Sequence, residues 1–139
     1  MRTPLALALL LSLSACAQVD SLVTDATRQM PTVLPTTAPT GVWDTTYGDM
    51  TFGASENGRL VATYKGENGR LDGTLQGRLY TGYWTEPSSA RSCGSTRNGT
   101  PYWGRFSYTF NAAMNTFDGG WGYCDDAPST EGDWTGVKR

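Results

Sequence analysis

Histidine is missing altogether from this 139-residue chain. Its absence excludes Ser-His-Asp and Cys-His catalytic constellations, His-ligated zinc and the usual imidazole copper sites. Runs of lysine and arginine are missing too, and the formal net charge is −2. With no basic patch to neutralise phosphates, nucleic acid is not an expected partner. Long apolar runs are nearly absent: the one candidate, Leu5 to Leu13, is too short to span a bilayer. Cysteine is scarce, at three residues.

The first of those cysteines closes the N-terminal segment. Arg2 supplies a positive start, Leu5 to Leu13 an apolar stretch, and Leu13-Ser14-Ala15-Cys16 a small-residue processing site. This pattern resembles the lipobox of bacterial lipoproteins. The resemblance implies that residues 1–15 are a signal peptide cleaved before Cys16. It also implies a diacylglycerol on the Cys16 sulfur and an acylated (palmitate-type) amino group. Each buried methylene adds about 0.8 kcal/mol, so several acyl chains hold a protein firmly on a membrane. Ala17 follows the cysteine where an aspartate would signal inner-membrane retention, which implies an outer-membrane address in the cell envelope. The lipid is the expected anchor, because no later stretch reaches membrane length.

Residues 16–40 read as a tether. Val19, Leu22, Val23, Ala26 and Met30 fall at helical spacings, yet so short a helix is marginal alone in water. The segment suits either a disordered spacer or, through residues 19–30, a short stalk that associates with a second copy. Pro31, Pro35 and Pro39 end any helix and favour an extended strut.

From residue 41 to 139 the period becomes two. Glu56-Asn57-Gly58-Arg59-Leu60 recurs as Glu67-Asn68-Gly69-Arg70-Leu71, and Asn-Gly between alternating segments marks a hairpin turn. Inside the strands a second repeat alternates large, small and bulky residues. Its instances are Leu60-Ala62-Tyr64, Leu71-Gly73-Leu75, Tyr80-Gly82-Trp84 and Phe117-Gly119-Trp121. A central glycine on one face suits a strand that coils sharply or admits a neighbour's ring. The expected strands are 41–46, 49–53, 59–65, 70–75, 78–85, 102–111, 116–123 and 132–137. Eight short strands in series predict an all-β domain, an antiparallel meander closed as a small barrel. In pattern the domain is similar to small avidin-like and lipocalin-like barrels, without a motif that carries over their ligand residues.

Tyr64, Tyr80, Trp84, Phe117 and Trp121 are expected inside with Leu60, Leu71 and Leu75, leaving little void in so small a barrel. In an up-and-down barrel, the loops after strands one, three, five and seven share one end. Cys93 lies in the fifth loop and Cys124 begins the seventh, and an extracytoplasmic address favours oxidation. A Cys93–Cys124 disulfide is therefore expected, with a pair of metal-binding thiolates as the alternative. Around it the sequence offers a charged and aromatic rim of Arg91, Arg97, Tyr102, Trp103 and Tyr123 for a protein or cell-wall partner. Asp125, Asp126, Glu131 and Asp133 are the only carboxylate cluster for a cation such as Ca²⁺ or, with Tyr123, Cu.

No catalytic residue and no cofactor is expected. The function this composition favours is a non-enzymatic binding or structural subunit of an envelope complex. One alternative is a copper superoxide dismutase type of enzyme with non-histidine ligands. Another is a lipocalin-like carrier of small ligands or inhibitor of proteases.

Overall fold

The computed structural model describes residues 38–139. Cys16 and the stalk residues 19–30 lie outside the described residues. Eight strands follow one another: β1 (Gly41–Thr45), β2 (Gly48–Phe52), β3 (Arg59–Tyr64), β4 (Gly69–Gln76), β5 (Leu79–Thr85), β6 (Trp103–Phe110), β7 (Thr116–Tyr123) and β8 (Gly132–Lys138). Each pairs antiparallel with the next, and β8 returns to β1 to close a barrel. The fold expected from the sequence is the fold observed, with strand limits displaced by a residue or so.

Alternation explains why these segments pair as they do. Leu60, Ala62 and Tyr64 are buried on β3, and Leu71 and Gly73 on β4, while Arg59, Thr63, Arg70 and Thr74 face water. A slip of one residue would turn every apolar side chain outward, so the register is strongly specified. Gly73 stands opposite Gly82 in the β4–β5 pair. A Cβ on Gly82 would lie against the Asp72 carbonyl and 2.5 Å from the Gly73 Cα, so a side chain there would push the two strands apart. The two glycines allow the tight coiling that a small barrel needs.

The two Asn-Gly repeats behave differently. Asn57 and Gly58 both have positive φ, 50° and 78°, and reciprocal backbone hydrogen bonds join Glu56 to Arg59. In the second repeat only Asn68 is left-handed, at 53°, and Gly69 is already the first residue of β4. Gly69 is needed for another reason: a Cβ there would collide with the Tyr64 ring.

One end of the barrel is filled. Trp43, Phe52, Phe110 and Phe117 pack with ring centroids 5.4–6.2 Å apart. Met114, at φ 53° in the β6–β7 turn, is buried with them. Pro39 is also buried, and its carbonyl accepts the Trp43 indole N–H at 2.9 Å. The β1–β8 seam that closes the barrel is short, with three residue pairs, as is the β2–β3 ladder. It is extended by Thr46 N–H to the Thr135 carbonyl at 3.1 Å, and Arg139 forms ion pairs with Asp44 and Asp49 across β1 and β2.

Candidate functional site: the aromatic mouth of the barrel

The turns after β1 and β3 and the loops after β5 and β7 gather at the other end, which is open. A cavity of about 230 Å³ lies there. Trp84 from β5, Trp121 and Tyr123 from β7, and Trp134 from β8 form its walls, and Tyr47 joins them from the β1–β2 turn. Glu67 comes from the β3–β4 turn, and Glu86, Ser89 and Ala90 from the loop after β5.

The rings hold one another edge to face. Trp121 lies 5.6 Å from Trp84 and 5.1 Å from Tyr123, and Tyr47 lies 4.8 Å from Trp134. Every indole N–H in the wall is committed: Trp84 to the Gly122 carbonyl at 3.1 Å, Trp121 to the Tyr47 hydroxyl at 2.9 Å, and Trp134 to Thr45 Oγ1 at 3.2 Å. Tethered edges and tight ring contacts fix the walls before any ligand arrives, which lowers the entropy cost of binding.

Glu86 supplies the charge. Tyr64, buried beneath Trp134 at 4.9 Å, donates its hydroxyl to Glu86 Oε1 at 2.8 Å. Burial raises the Glu86 carboxyl above the ordinary range; hydrogen bonds from Tyr64 and Ser89 oppose that rise, and the nearby Glu67 charge adds to it. Burial, with the Glu86 charge, likewise holds the Tyr64 phenol well above its usual value.

The rim is stapled twice. Cys93 and Cys124 form a disulfide, with Cα atoms 5.6 Å apart and a sequence separation of 31. Closing such a loop contributes about 3–4 kcal/mol in the chain-entropy account. Arg91 pairs with Asp126 at 2.8 Å between the same two loops, and its guanidinium lies 5.9 Å from the Tyr123 ring centre.

Of the residues singled out from sequence, Arg91 and Tyr123 stand at the mouth. Trp103 does not. It is 1% exposed on the outer face of the barrel, beneath the loop that follows β5, and donates its indole N–H to Ser95 at 2.9 Å. Arg97 is stacked there too, 3.4 Å from the Tyr83 ring centre and 4.4 Å from that of Trp103. Tyr102 is half-buried, with its amide bonded to Thr100 Oγ1. Trp103 and Arg97, with Tyr83, build a small outer cluster beneath the long loop, away from the mouth. Asp125, Glu131 and Asp133 are exposed, Asp126 is bound to Arg91, and among the described residues no three acidic or thiol groups converge to hold a metal.

Trp121, expected in the packed interior, is only partly buried and lines the cavity. Tyr47, Glu67, Glu86 and Trp134 were not singled out from sequence. The topology rule that brings Cys93 to Cys124 also brings the turns carrying Tyr47 and Glu67 to this end. Trp134 is marked by its inward place between Gly132 and Gly136. No family model, curated protein or solved structure matches the chain.

Proposed function

We propose that this protein is a lipid-anchored component of the bacterial cell envelope that binds a partner or ligand at the stapled mouth of its barrel and performs no chemistry. One observation carries the binding half: a single barrel has one end packed solid and the other left as a cavity between rigid aromatic walls and a partly buried carboxylate. Packed interiors lose stability by leaving such space, so a built cavity argues for an occupant. The anchoring half rests on the Leu13-Ser14-Ala15-Cys16 signal, which suits the outer membrane. An enzyme of copper superoxide dismutase type has no support from the carboxylates, which stand apart. The small volume favours a ligand, or one side chain of a partner, over a bulky lipocalin-type cargo: drug-sized sites occupy about 300–1,000 Å³.

Two measurements in cells test the reading. Cys16→Ser should release the protein from the membrane fraction or leave uncleaved precursor. A photo-reactive residue at Ser89 should capture an envelope component that the same group at Asp118, on the outer face of β7, does not. Continued membrane association of the variant would remove the anchor, and equal capture from both positions would remove the mouth as the binding surface.

A further inference from the structure

The chemistry of the cavity wall selects for one kind of guest. Its surface offers aromatic faces and edges from Trp84, Trp121, Tyr123 and Trp134, together with the carboxylates of Glu67 and Glu86. No lysine or arginine is part of the lining. The nearest guanidinium to the rings, Arg91, is engaged by Asp126. The three indole N–H groups bond within the protein and the Tyr64 hydroxyl bonds to Glu86, which leaves the hydroxyls of Tyr47 and Tyr123 as the ring donors that a neutral polar guest could use.

With two carboxylates against those two hydroxyls the lining has more acceptor than donor capacity, which serves a cation better than a sugar, whose hydroxyls need both. An anion would meet two carboxylates. A wholly apolar guest would leave Glu86 buried against hydrocarbon without a counter-charge, which is costly. A cation satisfies every feature at once: the negative faces of the rings attract it and the carboxylates neutralise it.

We propose that the mouth cavity is a binding site for a small organic ammonium group, seated among Trp84, Trp121 and Tyr123 and paired with Glu86 and Glu67. The volume, about 230 Å³, suits a single ammonium head with a short carbon chain. Glu86 is the charge partner, and Tyr64 is a positioning residue that holds its carboxylate toward the cavity. The inference rests on the reading of the mouth as a binding site and adds the class of ligand.

The test uses the full lipidated protein in an uncharged detergent and follows tryptophan emission on titration with choline. A parallel titration uses the carbon isostere of choline, in which a tert-butyl group replaces trimethylammonium, and a third uses glucose. Choline should give a saturable change, and the neutral isostere should bind about tenfold or more weakly, the scale of a desolvated cation–ring and carboxylate contact. Glu86→Gln should weaken choline about tenfold and leave the isostere unchanged, whereas Glu131→Gln, an exposed loop residue, should change neither. Glu86→Gln preserves the acceptor for Tyr64, so folding is expected to survive, and a native melting transition verifies it.

Equal binding of choline and its isostere would overturn the proposal in favour of an apolar site. Binding of glucose alone would overturn it in favour of a sugar site. No saturable response to any probe would overturn it as well. Capture of an envelope component from Ser89 is a separate readout, so loss of the ammonium site and loss of the mouth as a binding surface are told apart.

Discussion

Glu86 sits in a conflict that its neighbours only partly relieve. Burial favours its neutral form, Tyr64 and Ser89 favour the carboxylate, and Glu67 again disfavours it, with a net rise in pKa. An acid whose folded pKa exceeds its unfolded value binds extra protons in the native state. Its stabilising contribution is therefore complete below the unfolded value, about 4.3 for glutamate, and lost as pH rises through the higher folded value. Glu86→Gln should accordingly stabilise the protein near neutral pH, by up to about 1 kcal/mol for a partly solvated charge, and converge with the parent below about pH 4. Thermal melts of the two chains across that range decide it. A stability difference that grows on acidification would show that the carboxylate is held by its hydrogen bonds and is not penalised by burial. Asp44 and Asp72 run the other way: hydrogen bonds from Arg139 and Arg59 lower their pKa values, so what they contribute is lost on acidification.

At the scale of single elements, the β3–β4 hairpin links the floor of the mouth to one missing side chain. Tyr64 ends β3, Gly69 begins β4, and the two residues face each other in register. The ring crosses the space that a Cβ on Gly69 would occupy, and its hydroxyl reaches Glu86 from there. Gly69→Ala should cost about 1–3 kcal/mol, the usual range for overpacking, and should also weaken the Tyr64–Glu86 bond. Chemical denaturation gives the first effect and the shifted titration of Glu86, followed by NMR, the second. An alanine variant as stable as the parent would mean that Tyr64 has another way to lie.

The same hairpin marks where sequence is informative. Strand positions were legible because alternation and Asn-Gly punctuation act locally, and barrel closure followed from eight strands of similar length in series. The disulfide was legible because an up-and-down topology puts the loops carrying Cys93 and Cys124 at one end of the barrel. The cavity was not legible: whether inward rings fill a barrel depends on their tilt and on how far each reaches across the axis, which periodicity does not encode. Glu86 was hidden for a similar reason. It follows β5 at the start of a long polar loop and looks solvated until Tyr64, distant by 22 residues, is brought beneath it. Trp103 and Arg97 were read as part of a rim for a partner, but the loop that carries Arg97 folds back over the outside of β5 and β6, where Arg97 stacks on Tyr83 and Trp103.

Across the barrel, dense packing and open space are divided between the two poles. Trp43, fully buried at the closed pole, touches Phe52, Phe110 and Phe117 and has its N–H satisfied by Pro39. Trp121, at the open pole, borders empty space and is only partly buried. The two are chemically identical and both face inward, so their difference isolates the effect of position. Trp43→Ala should cost about 3–5 kcal/mol, because the packed neighbours cannot collapse into the hole. Trp121→Ala enlarges a cavity already open to water, whose new wall can be hydrated, and should cost roughly half of that or less, while removing most of the affinity for a cation. Denaturation curves and choline titrations on the same two variants read both quantities. Equal losses of stability would mean that the mouth is as much a structural core as the closed pole, and its open shape would then need an explanation other than ligand binding.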